Sequence, residues 1–424
     1  MEKIKQIFKV PEIRNKIIFI LFVLVIFRLA ANIPVPGVNI DQLKKFFDNN
    51  QIFGLLNLFS GGGLRNISIM MLGVGPYITA SIIMQLMTMI FPGLEQIYKE
   101  EGEAGRQKFN MWTRWLTVPL SIMQVFAMLS LFKSQNILSD LSGLDYVVIV
   151  STATAGTIFL MWLGELITEK GLGNGVSLII FAGIVSSLPT AVGQILATWD
   201  STMLFSYLGF ILIALITVAA VVFITEGQRN IPVSFAKRLR GGSLAGGGTS
   251  NLPLKVNQAG VIPIIFAMSI MIFPGMMANF LARSSNQLVA DWAGKIADLF
   301  SNQTFYGASY FVLVVMFTFF YTAVTFDPKN VAEGLQRQGG FIPGIRPGVP
   351  TMEYLNKIVN RITLFGAIFL GLVAVLPFIV QGFFTGIGNS LTIGGTGILI
   401  VVSVVIETIK QVEAQLVMRS YDEF

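Results

Sequence analysis

The sequence predicts an all-α polytopic membrane protein: ten transmembrane helices in two inverted five-helix halves. Three observations lead there. The 424-residue chain is 54% hydrophobic and 12% charged, with a mean hydropathy of +0.72; a soluble domain carries about 25% charged residues. Its apolar residues form long continuous runs without period-2 alternation, which argues against a β-barrel. Its Lys and Arg residues are skewed to one set of alternate loops.

Ten runs of spanning length follow in order, at roughly 17–33, 73–91, 113–132, 146–166, 176–195, 204–225, 259–280, 306–326, 360–381 and 393–411. The first follows a basic leader, "MEKIKQIFKVPEIRNK", and has no small-residue cleavage site, so it reads as its own insertion signal. Between the first two spans lies a half-length apolar segment, Phe53 to Phe59, ended by Gly61, Gly62 and Gly63 and followed by Arg65. The fifth run opens with "GLGNGVSLII" and the tenth with "GGTGILI", with Asn174 and Thr396 near the expected helix caps.

The charge count tests this division. Of the 29 Lys and Arg residues, 22 fall on the N-terminus, the alternate loops and the C-terminus. Only six (Lys44, Lys45, Arg65, Lys133, Arg283 and Lys295) fall on the other side, and Arg28 lies within the first run. The positive-inside rule therefore places both termini in the cytoplasm. Two inside loops, 226–258 and 327–359, are longer than bundle connections usually are, and each is basic with glycine and proline turns. They read either as solvated loops obeying the charge rule or as a docking surface for a cytosolic partner.

Cutting the chain after the fifth run, into 1–200 and 201–424, exposes a match. The second run of the first half begins "GVGPYI" at Gly73, and that of the second half "GVIPIIF" at Gly260. Five is an odd number, so the two halves would insert upside-down relative to each other. Gly/Pro-interrupted helices at matching positions of inverted repeats point to a path at the repeat interface.

The chain has no Cys and no His. Thiolate chemistry, imidazole acid–base catalysis and the usual zinc, haem and iron–sulfur ligands are excluded. No cluster of ionisable residues sits within the runs: Arg28, Glu165, Glu226 and Glu407 lie near their ends. This disfavours an ion-coupled carrier. Gln85, Gln124 and the Ser and Thr hydroxyls within the runs suit helix packing. "GGSLAGGGTS" lacks the Gly-Lys-Ser/Thr ending of a phosphate loop. Three readings remain: a passive channel driven by a partner, a secondary transporter of a small amphipathic solute, and an intramembrane lipid-modifying enzyme.

Specific words then accumulate along the whole chain: "IPVPG" (33–37), "LFSGGGL" (58–64), "PYITASIIMQLM" (76–87), "EGEAGRQK" (101–108), "FLMWLGELITEKGLGNGVSLIIFAGIV" (159–185), "LPLKVNQAGVIPIIFA" (252–267), "FYTAVTFDP" (320–328), "GGFIPGIRPG" (339–348) and "GGTGILIVV" (394–402). In order and in content they closely resemble the bacterial SecY family, channel subunits of the Sec protein translocase. The resemblance implies a multi-pass protein of the bacterial cytoplasmic membrane with a central hourglass pore, no cofactor and no catalytic centre. Its implied function is to pass unfolded secretory polypeptides across the membrane and release hydrophobic segments sideways into it.

Residue by residue, the resemblance implies an aliphatic constriction ring of Val74, Ile78, Val176, Ile180, Ile265 and Ile400. Any one of these aliphatics taken alone would read as plain packing. It implies a plug over about 54–66, with Leu55, Leu56, Leu58 and Phe59 resting against the ring, Gly61, Gly62 and Gly63 easing its turn and swing, and Arg65 facing the water of the outer funnel. The Gly-Val-x-Pro helices are the implied sides of a lateral gate for signal peptides. The two basic loops are the implied docking sites for the SecA motor ATPase and the ribosome. Arg346 leads there, supported by Arg337, Lys237, Arg238 and Arg240, since guanidinium forks suit carboxylate and phosphate. The first loop carries glycines at its tip, "RGGSLAGGGTS", where relatives are more basic, which leaves Arg346 the stronger docking candidate. SecE and SecG are the implied companion subunits.

Overall fold

The structure is a computed structural model that describes residues 10–35, 63–64, 67–99, 101–134, 142–197, 204–235, 238–240, 243–245, 248–282, 286–383 and 394–422. It is mostly helical, and a helix lies over each of the ten apolar runs. These helices are α1 (Pro11–Ala31), α2 (Gly75–Ile90), α4 (Gly102–Ser134), α5 (Gly143–Lys170), α6 (Gly175–Ala197), α7 (Leu204–Glu226), α8 (Ile262–Leu281), α10 (Gln303–Thr325), α12 (Val349–Phe383) and α13 (Gly394–Asp422). Three more lie between them: α3 (Pro92–Lys99), α9 (Gln287–Ser301) and α11 (Pro328–Arg337). Among the described residues, Gly143–Lys170, Tyr207–Glu226, Gln303–Arg337 and Val349–Val380 are each long and apolar enough to cross a membrane. The pair Gly75–Ile90 and Pro92–Tyr98, bent by 114°, would be a fifth such span.

Local chemistry sets the helix starts. Ser142 and Asp145 form a reciprocal capping box on α5. The Asn174 carboxamide accepts from the Val176 and Ser177 amides at 3.1 and 3.2 Å, the cap expected from the sequence. Asn286, Asn302 and Asp327 cap α9, α10 and α11. Several buried hydroxyls, though not those of Thr154 and Thr157, are satisfied within their own helices: Thr113 and Thr117 donate to the Phe109 and Thr113 carbonyls at 3.0 and 2.8 Å. Thr318 and Thr322 do the same one turn back on α10. Such internal satisfaction is what a lipid surround requires.

One amendment to the all-α expectation is needed. Loop 226–258 folds into antiparallel strands β1 (Gln228–Phe235) and β4 (Thr249–Lys255), with a smaller hairpin, β2 (Arg238–Arg240) and β3 (Ser243–Ala245), between them. The second loop adds β5 (Gly340–Phe341), giving a sheet of order β4-β1-β5. Ile231, Val233 and Leu254 pack from this sheet onto Ile342 and onto Leu355, Ile358 and Val359 of α12. The two basic loops are therefore one structured unit. Several helices also outrun their apolar runs: α4 starts at Gly102 and α12 at Val349, because hydropathy is blind to a polar helical continuation.

Most of the helices meet around one large buried apolar cluster, and a second joins α4 and α5. α1 lies on α5 and α6, α2 on α4, α10 on α12, and α7 on α13. Across the middle of the chain, α8 packs on both α2 and α4, and α13 on α6.

The matched Gly-Val-x-Pro words adopt the same backbone. Gly73 has φ 57° and Gly260 φ 63°, each just before its helix. A left-handed residue stops whatever precedes, and the proline two residues into each motif's helix start needs no amide donor there. A Cβ on Gly260 would meet nothing within 4 Å, so its requirement is purely conformational. Gly260→Ala should therefore destabilise by about 1–2 kcal/mol, with Gly260→Asn costing less. Thermal unfolding in detergent measures this; an alanine variant as stable as the parent would refute the turn's role.

Candidate functional site

Four helices begin inside the bundle, and their first turns meet. Val74 caps α2, and Ile78 lies one turn on. Val176 and Ile180 occupy the first two turns of α6, Ile265 the first turn of α8 and Ile400 the second turn of α13. Val74, Ile78, Ile180, Ile265 and Ile400 are all buried in one contiguous cluster, and Val176 packs against it half-buried. The start of α6 is held by close backbone approach: a Cβ on Gly175 would overlap the Gly164 carbonyl of α5. The structure thus brings together all six aliphatic residues singled out in the sequence.

Above this cluster opens a cavity of about 880 Å³. Its floor is apolar, with Ile78, Val176, Ile180 and Ile265 among the lining. Its walls are polar. Glu103, Gln107, Asn110 and Arg114 line it from α4, and Glu165, Thr168 and Glu169 from α5. The Arg114 Nε donates to Glu165 Oε1 at 2.7 Å, tying the two walls together. Gln85 of α2 also lines the cavity and buries its amide oxygen without a partner there. The polar stripe on α4 recurs at helical spacing (103, 107, 110, 114), a signal present in the sequence beside "EGEAGRQK" but not read from it.

On the other side of Val74, Gly63, Leu64 and residues 67–73 are not helical yet are largely buried. Leu64, Ile67 and Met71 pack against Val125, Met128, Leu129 and Phe132 of α4 and Ile149 and Ala153 of α5. The backbone is satisfied within the protein. The Val35 amide donates to the Ile67 carbonyl at 2.8 Å, Ile69 to Ile33 at 3.1 Å and Ser68 to Gly63 at 2.8 Å. Irregular backbone at such a place is tolerated only where protein or a wet cavity surrounds it. Ile67 takes φ 37°, uncommon for a β-branched residue. Of the residues assigned to a plug, Gly63 is described: a Cβ on it would lie 2.7 Å from the Met70 carbonyl oxygen. Leu55, Leu56, Leu58, Phe59, Gly61, Gly62 and Arg65 lie outside the described residues.

The candidate docking residues lie at or beside the sheet. Arg346 is exposed in the turn between β5 and α12, and its carbonyl accepts from Thr351 Oγ1 at 2.8 Å. Arg337 ends α11 and sits 3.4 Å from Glu333, largely in solvent. Arg238 and Arg240 belong to β2, and Lys237 lies outside the described residues.

An apolar floor beneath a polar-walled cavity, set within a helical bundle, is an arrangement suited to a membrane channel. The SecY family profile matches residues 68–409. The protein translocase subunit SecY of Streptomyces griseus is 43% identical over 98% of both chains. That of Corynebacterium glutamicum is 42% identical over 100% of this chain and 99% of its own. Among solved structures, one described as a protein conducting channel aligns with a TM-score of 0.64 at 19% identity, covering 94% of this chain and 91% of that one. Sec61 from the canine ribosome-channel complex aligns at 0.61 and 18% identity over 94% of this chain and 91% of its own. The chain belongs to the SecY family: it is a multi-pass membrane protein and a channel subunit of a protein translocase, and not an enzyme.

The floor and the walls of the cavity should differ in energetic weight. Ile180→Ala removes packed aliphatic volume and should cost about 2–5 kcal/mol. Glu165→Gln breaks an ion pair whose guanidinium is half exposed and should cost less than about 1 kcal/mol. Detergent unfolding of both variants checks the order; equal losses would contradict it.

Proposed function

We propose that the six aliphatic residues Val74, Ile78, Val176, Ile180, Ile265 and Ile400 form the ring through which an unfolded polypeptide passes. The observation that carries this reading is that all six, from near the starts of four helices, belong to or pack on one buried cluster, and that Ile78, Val176, Ile180 and Ile265 among them floor the cavity. Aliphatic side chains exclude ions by dewetting yet deform around a passing chain. In this reading the protein has ten spans in two inverted halves, 1–200 and 201–424, around an hourglass pore in the bacterial cytoplasmic membrane. Both termini, the sheet and the cavity mouth face the cytoplasm, in keeping with the Lys and Arg skew.

The packed faces of α2 and α8 serve as the lateral gate. Their apolar side chains give a signal helix contacts no worse than lipid offers. Residues 54–66 act as the plug, tethered by the buried segment that begins at Gly63. Arg346, with Arg337, Lys237, Arg238 and Arg240, docks SecA or the ribosome, a role supported by the joining of both basic loops into one sheet. SecE and SecG are the companion subunits.

The chain is cysteine-free, so introduced cysteines report cleanly. Ile78→Cys or Ile265→Cys should cross-link to a stalled precursor in reconstituted vesicles, while Phe223→Cys on the exposed face of α7 should not. Cross-links confined to Phe223 would overturn the ring assignment. Arg346→Glu should abolish most SecA-driven transport while leaving the unfolding temperature unchanged. Unimpaired transport in that variant would remove Arg346 from docking.

A further inference from the structure

Helix α9 is not one of the ten apolar runs, and the channel reading gives it no task. It connects the end of α8 to the start of α10. α8 begins just after β4 and α10 leads into α11 and β5, so α9 lies at the end of the bundle opposite the sheet. Its surface divides into three sectors at 3.6 residues per turn. Ala293 and Ala297 are buried, and Phe300 packs on the main core and meets Phe305 of α10 edge-on, ring centroids 5.7 Å apart. Beside this sector lie exposed large apolar side chains: Leu288 (73% exposed), Trp292 (67%), Ile296 and Leu299. On the other side lie Gln287, Asp291 and Asp298, also exposed.

A helix in water has no use for the second sector. A helix with protein on one side, lipid on the next and water on the third needs all of them in this order. Trp and Lys are characteristic of the membrane–water boundary. Here the Lys295 ammonium sits 5.2 Å from the Trp292 ring centroid, at the edge of the apolar sector next to Asp291 and Asp298. The neighbouring helix α10 carries its own exposed apolar surface, Val312 and Met316. The apolar sector of α9 is therefore set beside a lipid-facing helix.

We propose that α9 lies flat in the lipid–water interface of the leaflet opposite the sheet. Leu288, Trp292 and Leu299 dip into the headgroup–acyl boundary, Asp291 and Asp298 face water, and Ala293 and Ala297 rest on the protein. Helix α9 then acts as a float that fixes the depth of the α8–α10 corner. Because α8 also packs on α2, that depth bears on the gate between them. The proposal rests on the reading of α10 as a membrane span.

The test uses single cysteines at Leu288, Trp292, Asp291 and Val312 in the full chain, each labelled with an environment-sensitive fluorophore. The labelled proteins are reconstituted in phosphatidylethanolamine–phosphatidylglycerol vesicles containing lipids spin-labelled at the headgroup, shallow acyl or deep acyl position. Precursor transport by each labelled protein verifies its fold. The labels at Leu288 and Trp292 should emit to the blue and be quenched severalfold more by headgroup and shallow labels than by the deep one. The label at Asp291 should behave as if in water, and that at Val312 should be quenched best by the deep acyl label. Quenching at Val312 but none at Leu288 and Trp292 overturns the proposal while the span stands. Blue emission at Leu288 without lipid quenching means that a protein surface covers α9, and also overturns it. Absence of quenching at Val312 removes the span and the proposal together.

Discussion

Four helices of this protein have to begin inside the bundle, and much of the structure follows from that constraint. A helix start leaves amide groups without intrahelical partners and cannot be placed in an apolar interior without provision. The chain provides for it locally: left-handed glycines before α2 and α8, prolines in their first turns, and the Asn174 cap before α6. What these starts achieve is convergence. Short aliphatic side chains near these starts meet in one cluster, and beside it α4 and α5 supply the polar walls of a cavity. A bundle of uninterrupted helices would bury a continuous seam and leave no such step from open to sealed.

The same constraint accounts for the irregular chain at Gly63, Leu64 and residues 67–74. A helix that begins inside must be reached by chain that is not helical, and that chain must be enclosed by protein. Its backbone pairs with the residues just after α1, and its side chains fill the space between α4 and α5. The approach segment thus has a buried cluster of its own, next to the one that holds Val74.

Much of the helical fold was legible in the sequence because hydropathy and the paired Gly-Val-x-Pro words report directly on where helices lie and begin. The six aliphatic residues were not legible as physics. Val74 or Ile400 looks like any core residue, and only the surrounding words singled them out. The sheet was missed although its signal was present: Ile231 and Val233 alternate with the exposed Asn230 and Pro232 in "NIPVSF". Glycines and prolines nearby made the loop look irregular, whereas Pro232 and Pro253 sit on short strands that pack on α12 beneath. The polar stripe of α4 and the three-sector helix α9 escaped because spans are recognised by what is apolar, and both features lie where apolar runs end.

The central claim is that contact among these few aliphatic side chains, and no gate of charge or metal, keeps the resting channel tight. Ion flux across vesicles containing the reconstituted protein measures it most directly. The account predicts negligible flux for the parent and a large rise when Ile78, Ile180, Ile265 and Ile400 are replaced by Ser with the chain still folded. A folded Ser variant as tight as the parent would contradict it.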